Sequence, residues 1–258
     1  MKNEPNIGFL FYKDYYDSSF WTKIFLKGEK IKNQEGKKNY KQEVKRYFDN
    51  KNNNILKQNK LYPLQPLGKD HFTLKTIYPG LLFGAGYMHE TGQDNEFKIG
   101  FYFDYTTGMP YIPGSSVKGL LRSAFKASES YIREIFKSNS LFCNVNEISI
   151  SDLENEIFEG KKSIYDRDIF FDAVLIKSDN TDGRFLGEDF ITPHKDPLKN
   201  PVPIKFLKVL PNVVFRFEFD LKDGILSVEQ KLALFKQIIL DLGIGAKTNV
   251  GYGNFEPN

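Results

Sequence analysis

Residues 213–221 read VVFRFEFDL. Val213, Phe215, Phe217, Phe219 and Leu221 alternate with Val214, Arg216, Glu218 and Asp220, the period-two pattern of a strand with one apolar face packed and one polar face exposed. Just downstream, SVEQKLALFKQIILDLG (227–243) changes to the helical period, with Ser227 as N-cap, Gln230 three residues on and Gly243 as the stop. A last short strand follows in VGYGNF (250–255). Upstream, HFTLKTIYPG (71–80) predicts a strand closed by a Pro-Gly turn. FKIGFYFD (97–104) puts Phe97, Ile99, Phe101 and Phe103 on one face, and DIFFDAVLIK (168–177) is a further strand candidate. In SSVKGLLRSAFKASESYIREIF (115–136), Val117, Leu120, Leu121, Ala124, Phe125, Ile132, Ile135 and Phe136 follow helical spacing. Strands, helix, strands, helix and final strand predict an α+β fold. The expected form is an antiparallel sheet with two helices on one face, the ferredoxin-like arrangement shared with the RNA recognition motif.

This core is expected over residues 67–258, with an insertion at about 139–205 that such a fold does not require. Residues 1–66 read as an N-terminal extension, aromatic and then basic. Its first twenty residues carry Phe9, Phe11 and the Tyr15–Tyr16 pair, which something must bury. Between Trp21 and Lys60 twelve Lys and Arg stand against four acids, so this stretch is either a solvated face or an arm that meets a polyanion or an acidic partner. Net charge over the chain is only +3, so the total argues for no partner.

Several classes are excluded. Cys143 is the only cysteine, so neither an intrachain disulfide nor a thiolate zinc site can form. The three histidines, His71, His89 and His194, lack metal-ligand spacing, and no cofactor is expected. GFLFY is the longest clean apolar run near the N-terminus, too short for a membrane span or a signal core, so a cytoplasmic protein with no membrane partner is expected.

Two segments carry chemistry. In GMPYIPGSSVKGLLRSAF (108–125), Pro113-Gly114 turns the chain and Ser115 or Ser116 is expected to cap a helix. Lys118 in the first turn opposes the helix dipole unless an anion binds there. Lys118, Arg122 and Lys126 share one face. The second segment, GIGAKTNVGYGNFEPN (243–258), is not a P-loop: Ala246 precedes Lys247, and a helix leads into the loop rather than out of it. That removes the NTPase reading. What remains is a glycine-framed loop carrying Lys247, Thr248 and Asn249, with Tyr252 between Gly251 and Gly253. These side chains suit phosphate, sugar and base contacts.

Taken together, YIPGSSVKGLLR (111–122) and GIGAKTNVGYG (243–253) resemble the RAMP superfamily of CRISPR-associated RNA-binding proteins. NIGFLFYKDYY (6–16), DFITPHKDP (189–197) and NPVPIKFLKV (200–209) look like the sixth-subunit family of its Cmr (type III-B) module. The resemblance implies a non-catalytic subunit that holds CRISPR guide RNA toward its 3′ end, opposite target RNA. Its neighbours would be repeated backbone RAMP subunits, another RAMP subunit and a small helical subunit. By that resemblance Ser115, Ser116, Lys118 and Arg122 would hold guide backbone, with Gly245, Lys247, Thr248, Asn249, Gly251 and Tyr252 lining the loop above. The final strand would lie beside the first, letting the loop reach the same surface as the helix. His194 and Lys195 would belong to an inserted thumb-like hairpin in contact with RNA. Two rivals remain: a RAMP-fold endoribonuclease using His89, His194 or Asp104, and a structural end-cap whose glycine loop packs on a neighbour.

Overall fold

The structure is a computed structural model of the 258-residue chain. It describes residues 5–28, 34–62, 64–84, 89, 91–145, 148–159, 163, 165–192 and 203–258. His194 and Lys195, and with them the expected tip of the thumb, lie outside the described residues.

In chain order the elements are α1 (Ile7–Tyr12), a π-helical turn (Phe20–Phe25) running into α2 (Leu26–Gly28), α3 (Gln34–Leu56), β1 (Asp70–Thr76) and β2 (Tyr111–Ile112). Then come α4 (Gly114–Ala127), α5 (Glu129–Ser138), α6 (Ile150–Phe158), β3 (Ile169–Phe170), β4 (Ala173–Ser178), β5 (Leu186–Ile191) and β6 (Ile204–Val209). The chain closes with β7 (Val213–Asp220), α7 (Val228–Leu242) and β8 (Phe255–Pro257). Two compact units result, neither continuous in sequence: one from Met1–Tyr62, Leu82–Pro110 and Asn180–Leu210, the other from Pro63–Leu81, Tyr111–Asp179 and Pro211–Asn258.

The second unit is the α+β core. Its sheet runs β2-β4-β7-β1-β8, with β3 also pairing β7, and every pairing is antiparallel. The alternating stretch 213–220 is β7, flanked by β1 and β4. Phe215, Phe217 and Phe219 are buried, and Phe235 of α7 packs 5.5 Å from Phe219 and 5.7 Å from Phe170 of β3. Helix α7 has the expected capping box, since Ser227 and Gln230 each satisfy the other's backbone N–H, and Gly243 ends it at φ 67°. The last strand, β8, lies beside the first, β1, as expected of this topology.

The structure departs from expectation on the other face of β7, which is not solvated. Arg216 and Glu218 form an ion pair at 2.8 Å, Arg216 Nη2 donates to the Leu64 carbonyl, and the Glu218 carboxylate accepts the N–H groups of Leu67 and Gly68. The proline-spaced segment before β1 is therefore a strap over the sheet, and its backbone donors meet the polar side chains that alternation had assigned to water. The expected helix 115–136 is two helices. Ser128 turns extended (φ −164°), and its side chain caps α5 by accepting from the Tyr131 N–H. Residues 169–178, expected within the insertion, belong to the core sheet, because β3 and β4 pair the central strand β7.

The first unit gathers residues 1–62 with 82–110 and 180–210, so the N-terminal segment is not an extension on its own. Phe11, Tyr15 and Phe20 are fully buried, whereas Phe9 is exposed. Tyr15 stacks 4.3 Å from the ring of His89, donates to Asn52 Oδ1 at 2.8 Å and accepts the Phe97 N–H at 2.7 Å. Lys51 of α3 bridges Asp14 and Asp17 at 2.7 and 2.8 Å. Residues 97–104 bury Phe97, Phe101 and Phe103 as the alternation requires, yet they form no strand beyond the single bridge Phe103–Pro110. Tyrosine hydroxyls take the place of a neighbouring strand: Tyr12 donates to the Phe101 carbonyl and accepts the Phe103 N–H. Strands β5 and β6 form a separate hairpin in register from Leu186–Val209 to Ile191–Ile204.

Candidate nucleic-acid interface

Helix α4 begins against the β3–β4 corner. A Cβ on Gly114 would lie 2.5 Å from the Phe170 carbonyl oxygen, so only glycine lets the helix start this close. Its N–H donates to Asp172 Oδ1 at 2.7 Å. The N-cap is Pro113, with no side-chain cap, which corrects the expectation that Ser115 or Ser116 caps the helix. Both serines are exposed first-turn residues. Lys118 therefore falls one turn in, where its ammonium lies 5.6 Å from the centre of the Phe170 ring with no carboxylate partner among the described residues. A cleft of about 370 Å³ opens here, lined by Gly114, Ser115, Lys118, Arg167, Asp168 and Phe170 among others. Asp168 is buried and bonded to Lys231 Nζ at 2.8 Å and to the Lys222 N–H, so the free charges of the cleft are Lys118 and Arg167. Arg122 is different. Its guanidinium meets Glu154 at 3.0 Å and Glu159 more closely still, tying α4 to α6, and these hydrogen bonds hold its pKa up. It is already spent on two carboxylates and is not available to a phosphate.

The C-terminal loop is pinned at its base and projects beyond it. The Ile244 N–H donates to the Gly253 carbonyl at 2.9 Å, the Gly253 N–H to the Gly80 carbonyl at 2.8 Å, and the Ile77 N–H to the Asn254 carbonyl at 3.2 Å. Gly253 has φ 76°, and a Cβ there would stand 2.0 Å from the Ile244 carbonyl oxygen. Above this base Gly245 (φ 103°) and Lys247 (φ 64°) hold left-handed conformations, followed by a 3₁₀ turn over Thr248–Val250. The backbone N–H groups of residues 245–249 have no hydrogen-bond partner among the described residues. Successive free N–H groups in a chain that alternates handedness form an anion-binding concavity. Lys247 and Asn249 are exposed around it, with Thr248 partly so. Gly251 packs on Pro79, whose neighbour Tyr78 is 83% exposed. Tyr252, by contrast, is buried, so its ring is not open to a base.

The helix start and the loop do not share one spot. The Phe171 N–H bonds to the Glu218 carbonyl, level with His71, whereas the loop rises past Thr76, which pairs with Phe255. Five residues of extended chain separate the two levels, roughly 17 Å at about 3.4 Å per residue. They are two contact points on one unit.

Of the three candidate bases His194 lies outside the described residues, and neither His89 nor Asp104 has a catalytic setting. His89 is buried with Nε2 3.1 Å from the Phe11 carbonyl, and burial, opposed by the nearby Glu96 carboxyl, pushes its pKa down to about 4. Asp104 accepts the N–H and hydroxyl groups of Thr106 and Thr107. Burial would raise its pKa, but these hydrogen bonds outweigh it and the net shift is downward. Among the described residues no group of three His, Cys, Asp or Glu is placed to hold a metal, and no helix is long and apolar enough to cross a membrane. Sequence reasoning missed Arg167 and Tyr78. Each precedes a conspicuous motif (DIFF and Pro-Gly), and nothing in the pattern marked which side chain would face out.

Comparison with known proteins agrees with this architecture. The family model of the RAMP superfamily matches residues 73–256. The CMR subunit Cmr6 of Saccharolobus solfataricus is 29% identical over 167 residues, 62% of this chain and 49% of that protein. The Cmr6 subunit of Pyrococcus furiosus is 27% identical over 196 residues, 57% of each. The chain thus spans about half the length of the curated relatives it matches. A chain from the cryo-EM structure of the type III-B Cmr-beta complex bound to cognate target RNA superposes with a TM-score of 0.58. At 21% identity this likeness, covering 97% of this chain and 84% of that one, is one of fold. The family match takes in β1, the start of α4 and the glycine loop, and on that ground the chain belongs to the RAMP superfamily.

Proposed function

We propose that this chain is a non-catalytic RNA-binding subunit of a type III-B CRISPR (Cmr) effector, holding guide RNA toward its 3′ end. The observation that carries the reading is the glycine loop. It offers five consecutive backbone N–H groups without a partner among the described residues, beside Lys247, Thr248 and Asn249. Such a surface suits the phosphate backbone of a single strand and carries no sequence information, as a subunit that accepts any guide requires. Tyr78 is the aromatic placed to stack on a base next to the bound phosphate, in the role expected of Tyr252. Lys118 and Arg167 supply a second phosphate contact further along the strand. The settings of His89 and Asp104 favour the non-catalytic reading over the endoribonuclease one. Similarity to the Cmr6 subunits supports Cmr subunits as partners. Co-expression with its genomic neighbours tests the proposal: the chain should co-purify with other Cmr subunits and with RNA bearing the CRISPR repeat. Recovery as a free protein without RNA would overturn it.

A further inference from the structure

The first unit carries a cationic face that the RAMP motifs do not account for. In α3, Val44, Phe48, Asn52 and Ile55 are the buried side. Toward the helix start the same side runs out past the core, with Lys37 and Lys41 seven and three residues before Val44. Lys38, Lys41 and Lys45 are exposed at i, i+3 and i+7, and Lys37, Arg46, Gln34, Gln42 and one acid, Glu35, are exposed around them. None of these five cations has a carboxylate partner among the described residues, and nowhere else there do five unpaired cations fall within ten positions. The chain does pair cations where they serve packing. Lys27 meets Glu43, Lys51 meets Asp14 and Asp17, and Lys205 and Lys208 of β6 meet Glu188 and Asp189 of β5. Lys37–Lys41, Lys38–Lys41 and Lys41–Lys45 are like-charge pairs at helical contact spacing, each destabilising in isolation, and Lys37 and Lys38 also face the positive end of the helix dipole. A polyanion laid along the helix would relieve both.

We propose that the amino-terminal half of α3 is a second RNA-binding surface, which takes the phosphate backbone of a single strand. Its chemistry favours RNA over an acidic protein. The exposed residues are lysine, arginine, glutamine and asparagine with a single acid, Glu35, and no apolar anchor, whereas protein interfaces are depleted of lysine and centred on aromatic and aliphatic groups. Lysine, glutamine and asparagine are ordinary phosphate and sugar donors.

The inference rests on the proposal that the chain holds RNA, and the test separates the two. The full-length protein is titrated with a fluorescein-labelled 30-nucleotide single-stranded RNA of mixed sequence at several salt concentrations. Each phosphate neutralised contributes about 0.7 to the slope of log K against log salt. The triple variant Lys38→Gln, Lys41→Gln, Lys45→Gln should lower that slope by about 2. The control Lys60→Gln, Lys69→Gln, Lys137→Gln, with the same change in charge at exposed positions elsewhere, should leave it within about 0.7 of wild type. Equal effects of the two triples would mean a general charge effect and overturn the α3 surface. So would an unchanged slope for the α3 triple while Lys247→Ala still lowers it, although the RNA reading of the loop would then stand. An unchanged RNA slope with loss of assembly onto partner subunits would assign the face to an acidic protein instead. Wild type that binds no RNA at any salt would overturn both proposals.

Discussion

Substituting Gly253 by alanine should damage the second unit out of proportion to one methyl group. Its φ of 76° costs a residue with a Cβ about 1–2 kcal/mol. The Cβ would also stand 2.0 Å from the Ile244 carbonyl oxygen, a backbone atom that cannot swing aside. Relieving that clash separates the chain segments at the loop base and puts two hydrogen bonds at risk, Ile244 N–H to Gly253 and Gly253 N–H to Gly80, each worth about 1 kcal/mol. The sum is about 3–4 kcal/mol, a large part of a typical domain's stability. Urea unfolding followed by far-UV circular dichroism measures it. Fluorescence of Trp21, the only tryptophan, reports the first unit in parallel. With a slope of about 2–3 kcal/mol per molar urea, the midpoint of the second unit should fall by about 1–2 M. Gly119 provides the control: it is helical, exposed and has open space around its Cβ position, so alanine there should stabilise by about 0.5–1 kcal/mol. A Gly253→Ala protein within about 0.5 kcal/mol of wild type would refute the pinned loop base.

Other outcomes follow from the same geometry. The buried His89 has a folded pKa of about 4 against about 6.5 unfolded, so its contribution is complete above pH 6.5 and lost as pH falls toward 4. Trp21-detected urea unfolding should show about 2–3 kcal/mol less stability at pH 4.5 than at pH 7 from this group, and His89→Phe should remove that share of the pH dependence. Arg122→Ala should leave the salt dependence of RNA binding unchanged, since its guanidinium is already held by Glu154 and Glu159, whereas a lowered slope would mean those pairs open for RNA. Tyr78→Ala should weaken RNA binding by about 1–3 kcal/mol with stability intact. Tyr252→Ala should instead unfold the second unit more readily, by about 3–5 kcal/mol as for other buried aromatic truncations, and the reverse pairing of effects would restore Tyr252 as the stacking residue.

The parts legible in the sequence were those where a local pattern and the tertiary setting agree. The β7 alternation, the α7 capping box and the Gly243 stop are each decided within a few residues, and the structure keeps all three. The polar face of β7 misled because alternation reports only that Arg216 and Glu218 share a side. Whether that side meets water depends on a strap some 150 residues upstream. Residues 97–104 misled for a related reason: alternation fixed which rings are buried, and the Tyr12 hydroxyl took over the backbone bonds of a strand. At the candidate interface, the glycine spacing correctly marked a backbone-exposing loop. Which aromatic faces out, Tyr78 or Tyr252, and which cation is free, Lys118 or Arg122, are settled by neighbours far away in the chain. The aromatic start of the chain shows only that something must bury its rings: Phe11, Tyr15 and Phe20 build the first unit's core, whereas Phe9 stays exposed.

The central claim is that the glycine loop and the start of α4 hold RNA phosphates. Its most direct test is the salt dependence of RNA binding by wild type, Lys118→Ala and Lys247→Ala, with folding checked separately. Each variant should flatten the slope of log K against log salt by about 0.7 and weaken binding equally for unrelated RNA sequences. Unchanged slopes for both lysine variants would contradict the claim and leave the loop and the helix as elements of packing alone.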